Sequence, residues 1–259
     1  MDYLNDKNEI KDLAINHTSE MKRIYKSEIK TSSDNTHIYD DSSFLIKNYN
    51  NGQNVPTEVL VVLEDSVSAA VNENEHIGKT AILNFSSYKE PGGLFLAGSK
   101  AQEECLCHAS FLYNVLRKFD DTFYKENRKD LNKALYRNKA LYSPDIIFFD
   151  KDNKEHRCDV ITCASPNKRA AQQYCKVSDE KNCETLSERI DFVYKVASIE
   201  NVDTLILGSY GCGVFGQDID EVAELFIYHL KKYNFKKVIF AVINPAHKEI
   251  FEEAIYRFE

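Results

Sequence analysis

The chain has 259 residues, 43% of them hydrophobic, enough for one large α/β domain with at most a small appendage. Its formal charge of −8 argues against steering toward nucleic acid, so no direct nucleic-acid partner is expected. The opening MDYLNDKNEIKD lacks a basic flank followed by an apolar run, and nothing downstream approaches the roughly 18–20 apolar residues of a membrane span, so a cytoplasmic protein without membrane contact is expected.

In chain order, Ile10, Leu13, Ala14, Met21, Ile24 and Tyr25 fall at spacings of three and four, which predicts a helix over 7–29, broken near His17. From about Thr31 to Pro56 the text is rich in Ser, Asn and Asp without periodicity and reads as loop. Residues 1–55 are therefore expected to form an N-terminal helical extension and connecting loop packed on a domain spanning 56–259. After Pro56, apolar runs of strand length at 58–63, 80–85, 145–150, 159–164, 204–209 and 237–243 suit strands covered on both faces. Helices are predicted between them at 66–75, 102–118, 124–137, 168–176, 180–199, 217–233 and, at the end, 247–258. The alternation predicts a three-layer α/β/α fold on a mixed, mostly parallel central sheet.

Seven of the nine glycines cluster after two predicted strands: Gly92, Gly93 and Gly98, and Gly208, Gly211, Gly213 and Gly216. Both loops leave carboxyl ends of strands, where open α/β sheets bind ligands, which implies one shared cleft. In GSYGCGVFGQD (208–218), glycines let backbone N–H groups converge as an anion nest, a fit for a diphosphate, with Phe215 as a wall. A tight strand-to-helix turn with Phe215 in the core explains the same text. In the first loop, Asn84 closes a strand and Gln102, Glu103 and Glu104 open a helix. First-turn glutamates complement the helix macrodipole, and they could equally protonate a leaving oxygen, orient water or stabilise an oxocarbenium-like state.

The segment LNFSSYKEPGGLFLAGSKAQEECLC (83–107) resembles the signature of the microbial type of poly(ADP-ribose) glycohydrolase, a macrodomain family marked by three glycines, a spacer and Gln-Glu-Glu. LGSYGCGVFG (207–216) is similar to that family's diphosphate loop, VITCASPN (160–167) to its intervening strand end, and LAINHTSEMKRIYKS (13–27) to its N-terminal extension. The resemblance implies a hydrolase of an O-glycosidic bond at the distal ribose of ADP-ribose, acting on a mono-ADP-ribosylated protein side chain or on poly(ADP-ribose) and releasing ADP-ribose. It implies Glu104 as the catalytic glutamate, with Glu103 on hydroxyls of the distal ribose. Asn84 and Gln102 are implied at the ligand, as are Gly92 and Gly93 by close backbone approach. Gly208, Ser209, Gly211, Cys212, Gly213, Val214 and Phe215 would wrap the diphosphate. The third glycine of the signature is Leu94 here, which removes easy access to positive φ and adds bulk where substrate beyond the scissile bond would lie.

Three other readings compete. A macrodomain that binds ADP-ribose without cleaving it would need the second loop but not the carboxylate pair. A dinucleotide-dependent oxidoreductase would want G-x-G-x-x-G, whereas these glycines fall at 208, 211, 213 and 216. A zinc site at Cys105, Cys107 and His108 fails on a helix, where 105 and 107 are about 200° apart. No cofactor or metal is therefore expected. The seven cysteines form no CxxC pair and read as reduced side chains.

Overall fold

The computed structural model describes residues 6–44, 56–73 and 78–258. The helices α1 (Lys7–Ile24) and α2 (Lys26–Asp34) lead into strand β1 (His37–Asp40). There follow β2 (Glu58–Val62), α3 (Ser66–Glu73), β3 (Thr80–Phe85), α4 (Gln102–His108), α5 (Leu112–Leu116) and α6 (Lys125–Lys129). Next come β4 (Lys139–Phe149), β5 (Glu155–Cys163), α7 (Lys168–Cys175), α8 (Asp179–Ile199), β6 (Thr204–Leu207), α9 (Ile219–Leu230), β7 (Lys237–Ala241) and α10 (Pro245–Phe258).

One sheet of seven strands runs in the order β1-β4-β5-β3-β6-β7-β2. The strands from β5 to β2 are all parallel, while β4 pairs antiparallel with both β5 and β1. The apolar runs alternate between two cores. Leu83, Ile161, Leu205, Val238 and Phe240 face α8, α9 and α10, whereas Ile82, Val160, Ile206 and Ile239 face α1 to α5. That period-two division is what burial on both faces by helices requires, and it gives the three layers expected from the sequence. No helix among the described residues is long and apolar enough to cross a membrane.

The differences from the sequence reading have local causes. The N-terminal helix breaks at Tyr25 (φ −104°, ψ 33°), not at His17, which is helical and donates from Nε2 to Ser110 O at 2.8 Å. The polar stretch read as loop contains β1, which pairs with Lys139–Tyr142 at the sheet edge. Strand β4 starts six residues before the expected run at 145–150, across a bulge between Ser143 and Ile146 where Asp145 has φ 56°. Pro144 at that bulge disguised the continuity, since proline within a sheet is tolerated at such irregularities.

The helix expected over 102–118 is interrupted because Ser110 bridges to Phe148 and Phe149 N donates to Ala109 O at 2.8 Å. The one expected over 124–137 is α-helical only in α6, and Asn132, Lys133, Ala134 and Tyr136 all have positive φ. Positions 74–75 of the expected helix at 66–75 and 45–55 of the expected loop lie outside the described residues.

The loop from β3 to α4 is docked on α1. Gly98 has φ +79°, and a Cβ there would lie 2.5 Å from the Lys7 carbonyl oxygen. A Gly98→Ala protein should lose at least about 1 kcal/mol, the scale of a left-handed non-glycine residue, with the backbone clash added. A lower urea midpoint at unchanged slope is the expected reading.

Candidate active site

Strands β3 and β6 are neighbours, so the two glycine-rich loops leave the same edge side by side, and the Phe85 and Tyr210 rings meet at 5.6 Å. Asn84 in β3 is fully buried, and Glu103 and Glu104, in the first turn of α4, are 3% and 5% exposed. Burying two adjacent carboxyl groups demands donors, and the loop backbone supplies them. Ser87 N–H donates to Glu103 Oε2 at 2.7 Å, the Gly92 backbone lies close by, and Asn84 Nδ2 lies 3.4 Å from Oε1. Leu94 N–H donates to Glu104 Oε1 at 2.8 Å, while Glu104 Oε2 is buried without a protein partner among the described residues.

Glycine is required at the centre of this arrangement. Gly93 has φ +59°, and a Cβ on it would sit 2.6 Å from Glu104 Oε1 and 2.8 Å from Glu103 Oε2. Gly92, at φ +69°, would drive a Cβ to 2.7 Å from Tyr113 Cδ2. Leu94 makes no such demand: its φ is −104°, and its side chain is 60% exposed while its N–H holds Glu104. Burial pushes the Glu103 carboxyl up to about 8, opposed by the Ser87 N–H and reinforced by the charge of Glu104. Burial thus favours the neutral form of Glu103.

Gln102 faces inward instead of toward the cleft opening. Its Oε1 accepts from Phe85 N at 2.9 Å, and its Nε2 donates to Leu83 O at 2.9 Å and to Ser66 Oγ at 3.2 Å, so the amide ties α4 to the end of β3. Cys105 and Cys107 do not converge with His108. Cys105 Sγ lies at Lys100 O and is exposed, whereas Cys107 is buried against Gly92, with its thiol pushed well up by burial.

In the second loop, a Cβ on Gly208 would strike the Ala241 carbonyl oxygen and one on Gly211 the Ser165 hydroxyl. Ser209 Oγ and His247 Nδ1 are 2.8 Å apart. Gly213 has open space around it, and Val214 is 73% exposed. Among the described residues, the N–H groups of Gly213, Val214 and Phe215 meet no protein acceptor. Burial and the charge of Asp218 push the Cys212 thiol up to about 12, so it is no nucleophile. The Phe215 ring rests on Tyr136, at 6.0 Å between centroids, and Tyr136 stacks on Tyr88 at 4.3 Å.

The spacing of motifs did not single out Ser66, Ser87, Thr162, Tyr88 or Tyr136 as part of this architecture. Thr162 Oγ1 lies 3.3 Å from Asn84 Nδ2. Only the register of β3 on β5, Asn84 opposite Thr162, brings that pair together.

A three-layer domain with a glycine loop folded onto two buried glutamates, beside a second loop of open N–H groups, defines a ligand-processing α/β domain. The sequence matches the family described as "Microbial-type PARG, catalytic domain" over residues 6–151, and the chain belongs to that family of glycosidic-bond hydrolases. Its fold is similar to poly(ADP-ribose) glycohydrolase (PARG) from Thermomonospora curvata, at 27% identity and a TM-score of 0.86 over 95% of this chain and 99% of that one. The same enzyme bound to the inhibitor ADP-HPD matches with a TM-score of 0.83 at 27% identity over the same shares. Poly(ADP-ribose) glycohydrolase from Deinococcus radiodurans in complex with ADP-ribose matches at 30% identity and 0.79, over 89% of this chain and 98% of that one. No curated protein matches the sequence. Membership in a hydrolase family sets aside the reading of a non-catalytic binding module.

The raised Glu103 carboxyl couples folding to pH. Between the unfolded value of 4.5 and the folded value of about 8, the folded state keeps a proton that the unfolded chain releases. Glu103 thus contributes stability that is fully present below 4.5 and lost as pH rises through about 8. The urea-derived stability of wild type minus that of Glu103→Gln should fall across this window and level off above it.

Proposed function

We propose that this cleft binds ADP-ribose and hydrolyses the O-glycosidic bond at its distal ribose. The substrate is a mono-ADP-ribosylated protein side chain or poly(ADP-ribose), and ADP-ribose is released. The observation that carries this reading is the Gly93–Leu94 backbone, which fits against both buried carboxyl groups and leaves Glu104 Oε2 as the unengaged oxygen. In the reaction the C1–O bond breaks, its electron pair leaves on the acceptor oxygen together with a proton, and water adds to C1 and releases a proton.

Glu104 is the catalytic residue. Its Oε1 is anchored and its Oε2 exchanges a proton with the leaving oxygen or the attacking water. Glu103, pushed toward its neutral form by burial, and Asn84 hold hydroxyls of the distal ribose. Gly92 and Gly93 admit the ligand to the backbone, and Gln102 is a positioning residue that acts through β3. The loop Gly208, Ser209, Gly211, Cys212, Gly213, Val214 and Phe215 receives the diphosphate, chiefly at the open N–H groups of Gly213 to Phe215, with the Phe215 ring against the ribose. The ADP-ribose and inhibitor complexes of the similar enzymes support ADP-ribose as the ligand of this chain too.

The boundary expected at residue 55 divides the domain at 56–259 from an N-terminal extension, described over 6–44, that packs on it in this reading. The seat of Gly98 on Lys7 and the pairing of β1 with β4 support that arrangement. Leu94 is the departure from the glycine triplet. Its backbone needs no glycine, so its effect is steric: an exposed side chain next to Glu104, on the acceptor side of the scissile bond, that disfavours a bulky polymer more than a single side-chain linkage.

The test is release of ADP-ribose from a panel of ADP-ribosylated proteins of defined linkage and from the polymer. Glu104→Gln should lower turnover by at least about 10²-fold on the best substrate, the scale of a lost acid–base group. Full turnover by that protein would refute the assignment. Leu94→Gly should raise polymer cleavage relative to mono-ADP-ribosyl release, and an unchanged ratio would remove the steric role of Leu94.

A further inference from the structure

Arg189, in α8, is 1% exposed and is among the largest fully buried side chains. Its Nε donates to Asn138 Oδ1 at 2.7 Å, one terminal nitrogen donates to Ala164 O, and the other lies 3.4 Å from Leu135 O. The Tyr210 hydroxyl, which donates to Cys163 O at 3.1 Å, lies near enough to feel its charge. These acceptors are neutral, and among the described residues no carboxylate pairs with the guanidinium. The acid nearest in the network is the exposed Asp41, which accepts from Asn138 Nδ2 at 2.9 Å and so stands one amide away. A buried guanidinium without a counter-ion is costly, and bracing alone would be met at lower cost by a carboxylate partner or an apolar side chain.

The position of the charge suggests its use. Tyr210 belongs to the second glycine loop, and Ala164 packs with Tyr88, Tyr136 and Phe215. Ser165, the residue after Ala164, touches Gly211. Leu135 lies in the segment of left-handed residues that ends at Tyr136, the support of the Phe215 ring. The guanidinium thus sits under the loop and wall that line one side of the cleft, in a chain whose net charge of −8 would otherwise repel an anion.

We propose that Arg189 supplies a standing positive charge beneath the second glycine loop, without a protein counter-ion, and that the ligand's diphosphate provides the balancing negative charge. Arg189 is then a positioning residue that selects diphosphate-bearing ligands over phosphate-free ones. The proposal rests on the reading of residues 208–215 as the diphosphate loop. The exposed Arg169, beside Gly216, adds a second positive charge, but one that salt screens, whereas a buried charge is screened much less.

The discriminating variant is the double substitution Asp41→Asn/Asn138→Asp, which moves one negative charge from the surface onto the guanidinium at constant net charge. Binding of ADP-ribose and of adenosine is measured at low and high NaCl, together with thermal stability. Arg189→Lys and Arg189→Met serve as companions that keep and remove the charge.

The double variant should melt no lower than wild type, since it gains a buried pair. It should nevertheless bind ADP-ribose roughly tenfold more weakly or worse, the scale of one unit charge acting through protein instead of water, with a similar loss at both salt concentrations. Adenosine binding should not change, and Arg189→Lys should lie nearer to wild type than Arg189→Met. Wild-type affinity for ADP-ribose in the double variant, or equal losses for ADP-ribose and adenosine, would reduce Arg189 to a brace and overturn the proposal. If wild type itself gains nothing from the diphosphate over adenosine, the loop assignment falls, and with it the role of Arg189.

Discussion

Two adjacent carboxyl groups share a pocket with almost no solvent, and a strip of peptide backbone makes that burial possible. Ser87 and Leu94 turn their N–H groups onto Glu103 and Glu104, and Gly93 passes so close that a single added carbon would collide with both acids. A carboxyl group taken out of water must find donors or take up a proton. Here both happen: Glu103 is pushed toward its neutral form, and Glu104 keeps one oxygen anchored and the other unpartnered. Much of the surrounding fold serves that strip. The amide of Gln102 fixes α4 against β3, and α1 supports the far end of the loop through Gly98.

The cleft is divided by charge. The acids lie at the edge of β3, while the loop after β6 offers N–H groups over the buried cation of Arg189. A ligand with a sugar at one end of a diphosphate matches that division, in a chain of net charge −8. The Tyr88–Tyr136–Phe215 stack joins the two ends, because the ring that walls the second loop rests on aromatic side chains from the first loop and from the segment before β4. Four left-handed non-glycine residues in that segment are held by the Arg189, Asn132 and Asn167 hydrogen bonds to its carbonyls. Strain kept in place by surrounding contacts is a common feature of binding walls.

The parallel strands were legible because near-continuous apolar runs have few other uses in a chain of this size. Strand β1 was not, since His37–Asp40 is half polar and becomes a strand only by pairing with β4. Likewise, Pro144 hid the first half of β4, and long-range hydrogen bonds, not local propensity, decided that Leu131–Arg137 would not continue α6. At the site, glycines followed by Gln-Glu-Glu marked the carboxylate pair. Nothing in their spacing announced Ser87, which lies within the first loop itself, or Tyr136 and Arg189, which reach the site from distant parts of the sequence. Leu94 shows both sides of the matter. Its substitution was visible at once, but the backbone that makes glycine unnecessary there became apparent only in three dimensions.

The most direct test of the central arrangement is a crystal structure of the wild-type protein with ADP-ribose. Glu104 Oε2 should lie beside the anomeric carbon of the distal ribose, with Glu103 and Asn84 on its hydroxyls and the diphosphate on the N–H groups of Gly213 to Phe215. A ligand whose distal ribose lies away from Glu104, or whose diphosphate is bound outside the loop at 208–215, would contradict the account.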